Sequence, residues 1–217
     1  PVTEADRRAE ALVLQRLAAL YPGVPVVAEE DVCANGAPAE APKRFFLVDA
    51  LDGTKAFVAG RETFTVNIAF VDGGRAVAGA VAAPASGLVW FTTGEGAARR
   101  KFGETAETPV RVRSKADGGG LALVSNSLTD AEAERLARRH GCDQWRGMDS
   151  SVKFCLVAQG HADVYPRSGP TNEWDTAAAH AVLEAAGGRV LADDGSPLLY
   201  GKADRGWINP GFLAFGA

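Results

Sequence analysis

Two carboxylates three residues apart stand where a buried strand is predicted to end. Residues 45–54 begin with four apolar residues and finish with Asp-Ala-Leu-Asp-Gly-Thr. Asp49 and Asp52 supply carboxylates, while Leu51 and Thr54 add a carbonyl and a hydroxyl. All four are hard oxygen donors, which magnesium prefers, and the absence of His and Cys disfavours zinc. The pattern therefore predicts either a magnesium site that also receives phosphate or an ordinary Asp-Gly turn.

Gly53 separates this acidic stretch from a short segment at residues 54–58. Glycine permits a close approach of the backbone to a ligand. If residues 54–58 form a helix, the free backbone N–H groups at its start would face a bound anion such as phosphate.

Three consecutive acids, Glu29, Glu30 and Asp31, follow a predicted strand at residues 24–28. Acids at a strand end are either part of a site or a solvated rim. The next stretch, residues 33–43, contains Ala, Pro, Gly and charged residues and is predicted to be a loop.

Two further acids have helix-capping interpretations. Asp6 stands three residues after Thr3 at the start of a predicted helix, a spacing that resembles a capping box. Asp175 directly precedes a predicted helix at residues 176–186, where Asp is a preferred N-cap. Each acid therefore caps a helix or, if the fold brings the acids together, belongs to a site.

The composition is that of a globular protein with a full core. The chain has 217 residues, 47% of them hydrophobic, and a formal net charge of −4. This net negative charge argues against a basic surface that would bind a nucleic-acid polymer.

No apolar run approaches the ~18–20 residues of a membrane span, and no signal-peptide pattern begins the chain. The three cysteines are odd in number and far apart, which argues against disulfides. We therefore expect a cytoplasmic protein.

The predicted elements divide the chain into two halves. The first half has a helix and then an antiparallel meander of strands at residues 63–71, 76–83, 88–92, 97–102 and 108–113. The second half alternates strands and helices, with strands at residues 121–125, 162–165 and 189–192 and helices at residues 129–140, 151–159 and 176–186. Residues 115–120 are rich in glycine and are predicted to form a hinge between the halves.

The motifs and their order resemble the inositol monophosphatase superfamily of magnesium-dependent, lithium-sensitive phosphatases. The resemblance is carried by residues 29–30, 49–54, 150–158, 163–167 and 174–178. The two middle segments before the Trp-Asp motif are similar to the branch formed by the CysQ-type 3'(2'),5'-bisphosphate nucleotidases of sulfur assimilation. The likeness extends from Pro1 to Phe215.

The resemblance implies an α/β (α+β) fold, a layered αβαβα sandwich. It has an antiparallel sheet in the first half and a smaller mixed sheet in the second. Residues 1–115 would form the metal-binding catalytic half. Residues 116–217 would form the substrate-specificity half and contribute one metal ligand, Asp175.

The resemblance also assigns roles to the acidic residues. Two or three Mg²⁺ ions would be held by Glu29, Asp49, the Leu51 carbonyl, Asp52 and Asp175, with Glu30 outside them holding metal-bound water. Asp6 would pair with the Thr54 hydroxyl to orient and deprotonate the attacking water. Attack on phosphorus would be direct and in line, without a covalent nucleophile.

Cationic and polar residues would contact the substrate. Gly53 and Thr54 would hold phosphate oxygens. The nucleotide and its distal phosphate would be contacted by Ser150, Lys153 and Arg167. Asp175 would also lie next to the substrate. A distal phosphate needs a cation away from the metals. The alternative for the two cations is a solvated face or a local ion pair.

The implied activity is hydrolysis of the 3'-phosphate of adenosine 3',5'-bisphosphate to AMP, with 3'-phosphoadenylyl sulfate as a further candidate substrate. The partner is then a small phosphorylated nucleotide, and a homodimer is a further expectation. The alternatives are an inositol monophosphatase or fructose-1,6-bisphosphatase of relaxed specificity and, from another class, a non-catalytic sensor of metal or nucleotide.

Three departures from the family pattern affect these expectations. Ala50 stands where the family usually has Pro, which predicts a small loss of rigidity. Residues 125–128 read Ser-Asn-Ser-Leu where relatives often have Ser-Arg-Ser-His, so Asn126 and Leu128 bear on the strictness for a nucleotide. The family also has a segment ahead of Pro1, and we expect the chain to be trimmed there.

Overall fold

Two β-sheets alternate with layers of helix in the computed structural model, which describes residues 2–114 and 119–216. The larger sheet has seven strands in chain order: β1 (Val26–Ala28), β2 (Arg44–Asp52), β3 (Thr65–Asp72), β4 (Arg75–Ala83), β5 (Leu88–Thr93), β6 (Gly96–Lys101) and β7 (Thr108–Val110). β1 and β2 are parallel, and all the other neighbours are antiparallel. The predicted antiparallel meander is therefore confirmed.

The smaller sheet is mixed, as predicted. It has the order β12-β14-β10-β8-β9. Its strands are β8 (Leu121–Ser125), β9 (Gln144–Met148), β10 (Val164–Arg167), β12 (Arg189–Ala192) and β14 (Phe212–Phe215). β8 is parallel to β9 and β10, whereas β14 is antiparallel to β10 and β12. A two-stranded ladder joins β11 (Thr171–Asn172) to β13 (Ile208–Asn209).

Six α-helices accompany the sheets in the part of the chain that the structure describes. They are α1 (Glu4–Leu20), α2 (Glu29–Asn35), α3 (Thr54–Val58), α4 (Asp130–Arg139), α5 (Val152–Ala158) and α6 (Ala177–Ala185), with 3-10 turns at Pro84–Ser86 and Ala203–Arg205. Among the described residues, none of these helices combines the length and apolar character needed to cross a membrane.

The strand β2 shows how the layers are built. Its successive side chains are buried on both faces, so the strand is a continuous apolar run. Phe46 and Val48 pack with Leu17 of α1 on the outer face. Phe45 and Leu47 belong to the large core shared with α5 and α6, which lie between the two sheets.

The outermost layer is α4. Its residues Ala133 and Ala137 pack against Ala122 and Val124 of β8, on the face of the smaller sheet opposite α5. The order of layers is therefore α1/α2, large sheet, α5/α6, small sheet and α4. The predicted αβαβα sandwich is confirmed.

The helix α6 lies directly on β4, and a glycine permits this contact. A Cβ atom added to Gly79 would stand 2.2 Å from the carbonyl oxygen of Ala178. Only a residue without a side chain can occupy that position at this spacing. The close approach holds the start of α6, and with it the preceding Asp175, against the large sheet.

Several local expectations differ from the structure. Residues 33–35 belong to α2 and not to the predicted loop, because the acids Glu29–Asp31 form the first turn of that helix. The strands β9 and β14 were not predicted. The proposed hinge at residues 115–120 falls largely on residues 115–118, which lie outside the described residues, so the division into halves at residue 115 stays a prediction.

Candidate metal and substrate site

Three carboxylates from distant parts of the chain meet at one point. Glu29 begins α2, Asp49 lies near the end of β2, and Asp175 precedes α6. One carboxylate oxygen from each lies within 4.8 Å of the others. Asp49 is buried, whereas Glu29 and Asp175 remain partly exposed to a cleft.

The end of β2 folds so that its polar groups leave the sheet. The register between β2 and β3 shifts between Asp49 and Asp52, so the residues between them leave the regular ladder. The Leu51 N–H donates to Asp49 Oδ1 at 2.8 Å, which fixes that carboxylate. The Thr54 hydroxyl lies 3.2 Å from the Leu51 carbonyl and 3.2 Å from Asp6 Oδ1.

Gly53 is required by both conformation and space. Its φ of +90° lies in the left-handed region, and it directly precedes α3. A Cβ atom at this position would stand 3.0 Å from the Thr63 carbonyl oxygen and 3.4 Å from the Ser150 Cβ. The predicted short helix at residues 54–58 is present, as α3.

The pKa values of all three carboxylates in the cluster are raised by burial and by the negative charges of neighbouring carboxylates. Burial raises the pKa of Glu29 to about 7, and the charges of Glu30, Asp52 and Asp6 act in the same direction. Burial also raises the pKa of Asp49 well above its ordinary value, with further contributions from Asp52, Glu29 and Asp175. The pKa of Asp175 is raised by burial and by the charges of Asp52 and Glu29.

These properties fit a divalent cation. The donor set consists of hard oxygens, and the cluster contains no His or Cys. Carboxylates of this kind are the protein ligands of Mg²⁺, and a cation between them would relieve their mutual repulsion. The three residues were all predicted as metal ligands from the sequence.

Asp52 lies beside this cluster and is tied to the second half of the chain. The Ser151 N–H donates to Asp52 Oδ2 at 2.5 Å, and the Thr65 hydroxyl does so at 3.4 Å. Burial raises the pKa of Asp52, whereas the positive charge of Lys153 opposes that shift. Asp52 is outside the group of three whose oxygens lie within 4.8 Å of one another, but its charge raises the pKa of each of them.

A buried glutamate that the sequence analysis did not single out holds the start of α2. Glu10 is 4% exposed, and its two carboxylate oxygens accept the backbone N–H groups of Glu30 and Asp31, each at 2.8 Å. The residue before α2, Ala28, provides no side-chain cap. Glu10 therefore caps α2 from another helix, and its position four residues after Asp6 is the signal that both face the same side of α1.

Asp6 makes both contacts that were considered for it, the capping box of α1 and the pairing with Thr54. Its carboxylate accepts the N–H and hydroxyl of Thr3, and Thr3 in turn accepts the Ala5 N–H, so the capping box is present. The other oxygen, Oδ1, accepts the Thr54 hydroxyl at 3.2 Å. Glu30 lies near Asp6 and Glu10, whose charges help burial to raise the pKa of Glu30.

Asp175 does not cap α6. The N-cap of α6 is Thr176, and Asp175 Oδ2 instead accepts the Asn172 N–H at 2.9 Å. Glu173, two residues before Asp175, is fully buried and accepts the N–H groups of Gly201 at 2.6 Å and Lys202 at 2.9 Å. The N-cap interpretation of Asp175 is therefore wrong, and its carboxylate is directed toward the cluster.

The predicted substrate residues line one cleft with the carboxylates. The cleft has a volume of about 650 Å³. Its walls include Glu29, Asp52, Gly53, Thr54, Ser150, Lys153, Arg167 and Asp175. Another cleft, of about 760 Å³, lies between β6, β7 and the end of α6, away from the carboxylates.

The two predicted cations differ in their surroundings. Lys153 is 4% exposed, and burial lowers its pKa to about 8, although the nearby Asp52 carboxylate opposes this shift. Arg167 is partly exposed at the end of β10, and its Nε is buried without a hydrogen-bond partner among the described residues. An unpaired buried donor in a cleft fits an anionic ligand.

Residues 125–128, which differ from the usual family pattern, lie at the rim of this cleft. Asn126 donates to Asp149 Oδ2 at 2.9 Å, and Arg61 Nε donates to the same oxygen at 3.1 Å. The Thr63 hydroxyl lies 3.3 Å from it. Asp149 therefore connects the segment after α3 with the end of β8.

Comparisons with known proteins identify the family of this chain. The model of the inositol monophosphatase family matches residues 1–211. The 3'(2'),5'-bisphosphate nucleotidase CysQ of Escherichia coli K12 is 42% identical over 212 residues, which cover 98% of this chain and 84% of that protein. The nucleotidase CysQ of Haemophilus influenzae is 30% identical and covers 100% and 80%.

Solved structures give the same result. CysQ from Bacteroides thetaiotaomicron matches with a TM-score of 0.79 and 32% identity over 97% of this chain and 83% of that one. An inositol monophosphatase from Anabaena matches with a TM-score of 0.80 and 26% identity over 100% and 82%. This chain belongs to the inositol monophosphatase family.

Proposed function

We propose that this protein is a Mg²⁺-dependent phosphatase that removes the 3'-phosphate of adenosine 3',5'-bisphosphate to give AMP. The observation that carries the proposal is one cleft that contains both a carboxylate cluster and a separate cation, Arg167. A bisphosphate needs both, because one phosphate reacts at the metals while the other is held elsewhere. The relatives at 42% and 30% identity are named for the same reaction class.

The metal ligands in this proposal are the converging oxygens. Glu29, Asp49 and Asp175 would hold Mg²⁺, and Asp52 and the Leu51 carbonyl would complete a site for two or three ions, with Glu30 outside it. When bound, Mg²⁺ supplies Lewis acidity and neutralises phosphate charge.

Thr54 and Asp6 orient the attacking water. The Thr54 hydroxyl donates a hydrogen bond to Asp6 Oδ1. A lone pair of the Thr54 oxygen can therefore accept a hydrogen bond from water. Asp6 is 3% exposed and is held by the N-terminus of α1. This rigid support allows the pair to position water for proton transfer, which contributes to catalysis.

The rest of the cleft binds the substrate. The backbone N–H groups of Gly53 and Thr54 would donate to the reacting phosphate. Ser150, Lys153 and Arg167 line the side that we assign to the nucleotide and its 5'-phosphate. In Arg167 the unpartnered Nε supports a role in binding an anion.

The reaction is a simple hydrolysis. The water oxygen forms a bond to phosphorus as the bond between phosphorus and the 3'-oxygen breaks. One water proton is taken up by the departing 3'-oxygen, which becomes the 3'-hydroxyl of AMP, and phosphate is released. No covalent intermediate with the protein is needed, because phosphoryl transfer requires mainly positioning and charge stabilisation.

An inositol monophosphatase or sugar bisphosphatase of relaxed specificity is the second candidate. It is favoured by one observation, that Asn126 and Leu128 occupy positions where nucleotidase relatives often have Arg and His. Asn126 is bonded to Asp149 at 2.9 Å and so offers less to a ribose or base.

The test compares phosphate release from adenosine 3',5'-bisphosphate, 3'-phosphoadenylyl sulfate, inositol 1-phosphate and fructose 1,6-bisphosphate, with and without Mg²⁺ and Li⁺. We expect the adenosine bisphosphate to have the highest kcat/KM, with Mg²⁺ required, and Asp52→Asn to abolish turnover. A preference of about tenfold or more for the inositol phosphate would overturn the nucleotide assignment. No turnover of any substrate, with Mg²⁺ still bound, would identify a sensor.

Two further expectations remain predictions. The substrate class makes the partner a small phosphorylated nucleotide. A cytoplasmic location and a homodimer were predicted from the sequence and stay predictions.

A further inference from the structure

A buried asparagine near the end of the chain brackets Asp175. Asn209, on β13, is 1% exposed. Its Nδ2 lies 2.9 Å from the Thr176 hydroxyl, 3.2 Å from the Asn172 carbonyl oxygen and 3.3 Å from the Thr171 hydroxyl. Thr171 and Asn172 precede Asp175 in the chain, and Thr176 follows it directly. A single side chain therefore holds both ends of the segment that carries Asp175.

The partners of the Asn209 amide fix its orientation. A backbone carbonyl can only accept a hydrogen bond, so the amide nitrogen, and not the amide oxygen, must face the carbonyl of Asn172. The amide oxygen is buried as well. Burying an amide costs free energy that an apolar side chain of the same size would not incur. Packing alone therefore does not explain an asparagine at this position.

Asn172 connects Asn209 to the carboxylate of Asp175. The Asn172 carbonyl accepts from Asn209, and the Asn172 N–H donates to Asp175 Oδ2 at 2.9 Å. The backbone here also belongs to the ladder of β11 and β13, in which Thr171 is the partner of Asn209. Asn172 is therefore held by the neighbouring strand, and its N–H is a fixed donor to one oxygen of Asp175.

Thr176 occupies the N-cap of α6 but does not use its hydroxyl as a cap. A threonine at an N-cap usually accepts a backbone N–H from the first turn of its helix. The structure has no such bond at the start of α6. The hydroxyl accepts from Asn209 instead, and it lies 3.3 Å from the Glu173 carbonyl oxygen and 3.4 Å from the Tyr200 hydroxyl. The side chain next to Asp175 therefore stabilises the turn before α6.

The carboxylate cluster requires such a support at Asp175. Glu29 and Asp49 are attached to β1 and β2 of the large sheet, whereas Asp175 lies between β11 and α6. Like charges this close repel one another, so an unsupported carboxylate would turn away from the other two. The hydrogen bonds around Asn209 oppose this movement.

We propose that Asn209 is a positioning residue for the carboxylate of Asp175. It acts through Asn172 and Thr176, which hold that carboxylate in place before Mg²⁺ binds. The inference rests on the proposed function, because it takes the carboxylate cluster as the Mg²⁺ site. Groups that orient a metal ligand typically change metal affinity or activity by about 10- to 100-fold when they are removed.

The experiment compares Asn209→Leu with the control variant Trp90→Phe. Leucine has nearly the shape of asparagine and lacks its donors. Trp90 is buried on β5 and donates from Nε1 to Gln159 at 2.9 Å, so Trp90→Phe also removes a buried hydrogen bond, but outside the cleft. Mg²⁺ affinity is measured by calorimetry on the substrate-free proteins, and folding is checked by thermal unfolding in EDTA. Phosphate release from adenosine 3',5'-bisphosphate is followed over a range of Mg²⁺ concentrations.

For Asn209→Leu we expect Mg²⁺ affinity to fall by about 10- to 100-fold. The Mg²⁺ concentration that gives half-maximal phosphate release should rise by the same factor, with kcat largely recovered at saturating Mg²⁺. Trp90→Phe should lower the Tm and leave both Mg²⁺ measurements unchanged. An unchanged Mg²⁺ affinity in Asn209→Leu, or an equal fall in Trp90→Phe, would overturn the proposal.

A double-mutant cycle with Asp175→Asn tests whether Asn209 acts through Asp175. In the Asp175→Asn background the metal ligand is already impaired, so Asn209→Leu should cost much less Mg²⁺ affinity there than in the wild-type chain. Equal costs in the two backgrounds would show that Asn209 acts by another route and would overturn the proposal.

Two further measures keep the test decisive. Should Asn209→Leu not fold, Asn209→Ser, which is smaller and still polar, is compared in the same way with the same expectations. A wild-type chain that binds Mg²⁺ but hydrolyses none of the phosphate esters would overturn the proposed function alone, since the Mg²⁺ affinities still decide the role of Asn209.

Discussion

Thr54 donates a hydrogen bond to Asp6 at 3.2 Å, which joins the first turn of α1 to the start of α3 across 48 positions of the chain. The same Asp6 carboxylate closes the capping box of α1 with Thr3. A residue usually explained by local helix capping therefore also contacts Thr54, which lines the proposed substrate cleft.

The double role of Asp6 leads to the first prediction. Asp6→Ala should lower the free energy of unfolding by about 1 kcal/mol through loss of the cap. It should also lower kcat by about 10²- to 10⁴-fold, the usual contribution of a group that assists proton transfer. Unfolding by denaturant and steady-state kinetics measure the two effects.

The chain contains a matched control for this variant. Glu132 occupies the same third position in the capping box of α4, with Thr129 as N-cap, and is exposed. Glu132→Ala should show the loss of stability without the loss of kcat. If the two variants lose activity to the same extent, the role of Asp6 is limited to capping.

Glu10 is the subject of the second prediction. Replacing it with alanine leaves the N–H groups of Glu30 and Asp31 without their acceptor at the start of α2. A buried unsatisfied donor costs about 1–3 kcal/mol, so Glu10→Ala should destabilise the protein by that order. Because α2 carries Glu29, Mg²⁺ affinity should also fall.

The control for Glu10→Ala is Glu4→Ala, on the same helix but exposed to solvent. It should change neither stability nor Mg²⁺ binding beyond about 0.5 kcal/mol. Calorimetric titration with Mg²⁺ is the deciding measurement. An unchanged Mg²⁺ affinity in Glu10→Ala would show that α2 keeps Glu29 in place without this cap.

Most strands and the acids near their ends could be predicted because their signals are local, whereas the layer order and the roles of the acids were implied by the resemblance to the family. The period-2 alternation of β3 and the apolar run of β2 indicate burial directly, and the acids stand just after β1 and in the last residues of β2. Helix α2 was missed because its first turn is three acids, which suggested a strand end. Strand β9 was missed because it is a five-residue edge strand in which glycine, Gly147, occupies one of the alternating less exposed positions, so the sequence carries little apolar alternation.

The supporting residues could not be predicted in the same way. Glu10, Glu173 and Ser151 each act on a segment far along the chain, at separations of 20, 28 and 99 residues. No periodicity relates such partners, since the pairing arises only when the layers pack. Lys153 was predicted to contact the nucleotide, but its hydrogen bonds to the carbonyls of Met148 and Ser150, and the positive φ of Ser150, could not be predicted from the sequence.

The contact between α6 and β4 gives the third prediction. In Gly79→Ala the new methyl group would overlap the Ala178 carbonyl oxygen, because a Cβ atom there stands 2.2 Å away. Backbone must shift to accommodate it, at a cost of about 1–3 kcal/mol. The shift also moves the start of α6, so Mg²⁺ affinity should fall as Asp175 moves.

Gly94→Ala is the control for this substitution. Gly94 has no atom within 4 Å of an added Cβ and no positive φ. Its replacement should leave the free energy of unfolding within about 0.5 kcal/mol of the wild type. Equal stability of the two variants would mean that the α6 layer adjusts more readily than the packing indicates.

The last prediction concerns metal removal and pH. The pKa of Glu29 is raised from 4.5 to about 7, and those of Asp49 and Asp175 are raised as well. Between the unfolded and folded pKa values, the metal-free folded protein binds protons that the unfolded chain has released. Stability therefore falls as pH rises through this window. In EDTA, the Tm should be higher at about pH 5.5 than at about pH 8.

Mg²⁺ should reverse this trend, because it binds the ionised carboxylates and stabilises only the folded state. The increase in Tm on adding Mg²⁺ should be larger at the higher pH, where no proton competes with the cation. Asp49→Asn removes one charge from the cluster and should flatten the slope in EDTA. A Tm in EDTA that rises with pH over this range, in the wild-type chain, would show that the three carboxylates do not repel one another in the folded protein.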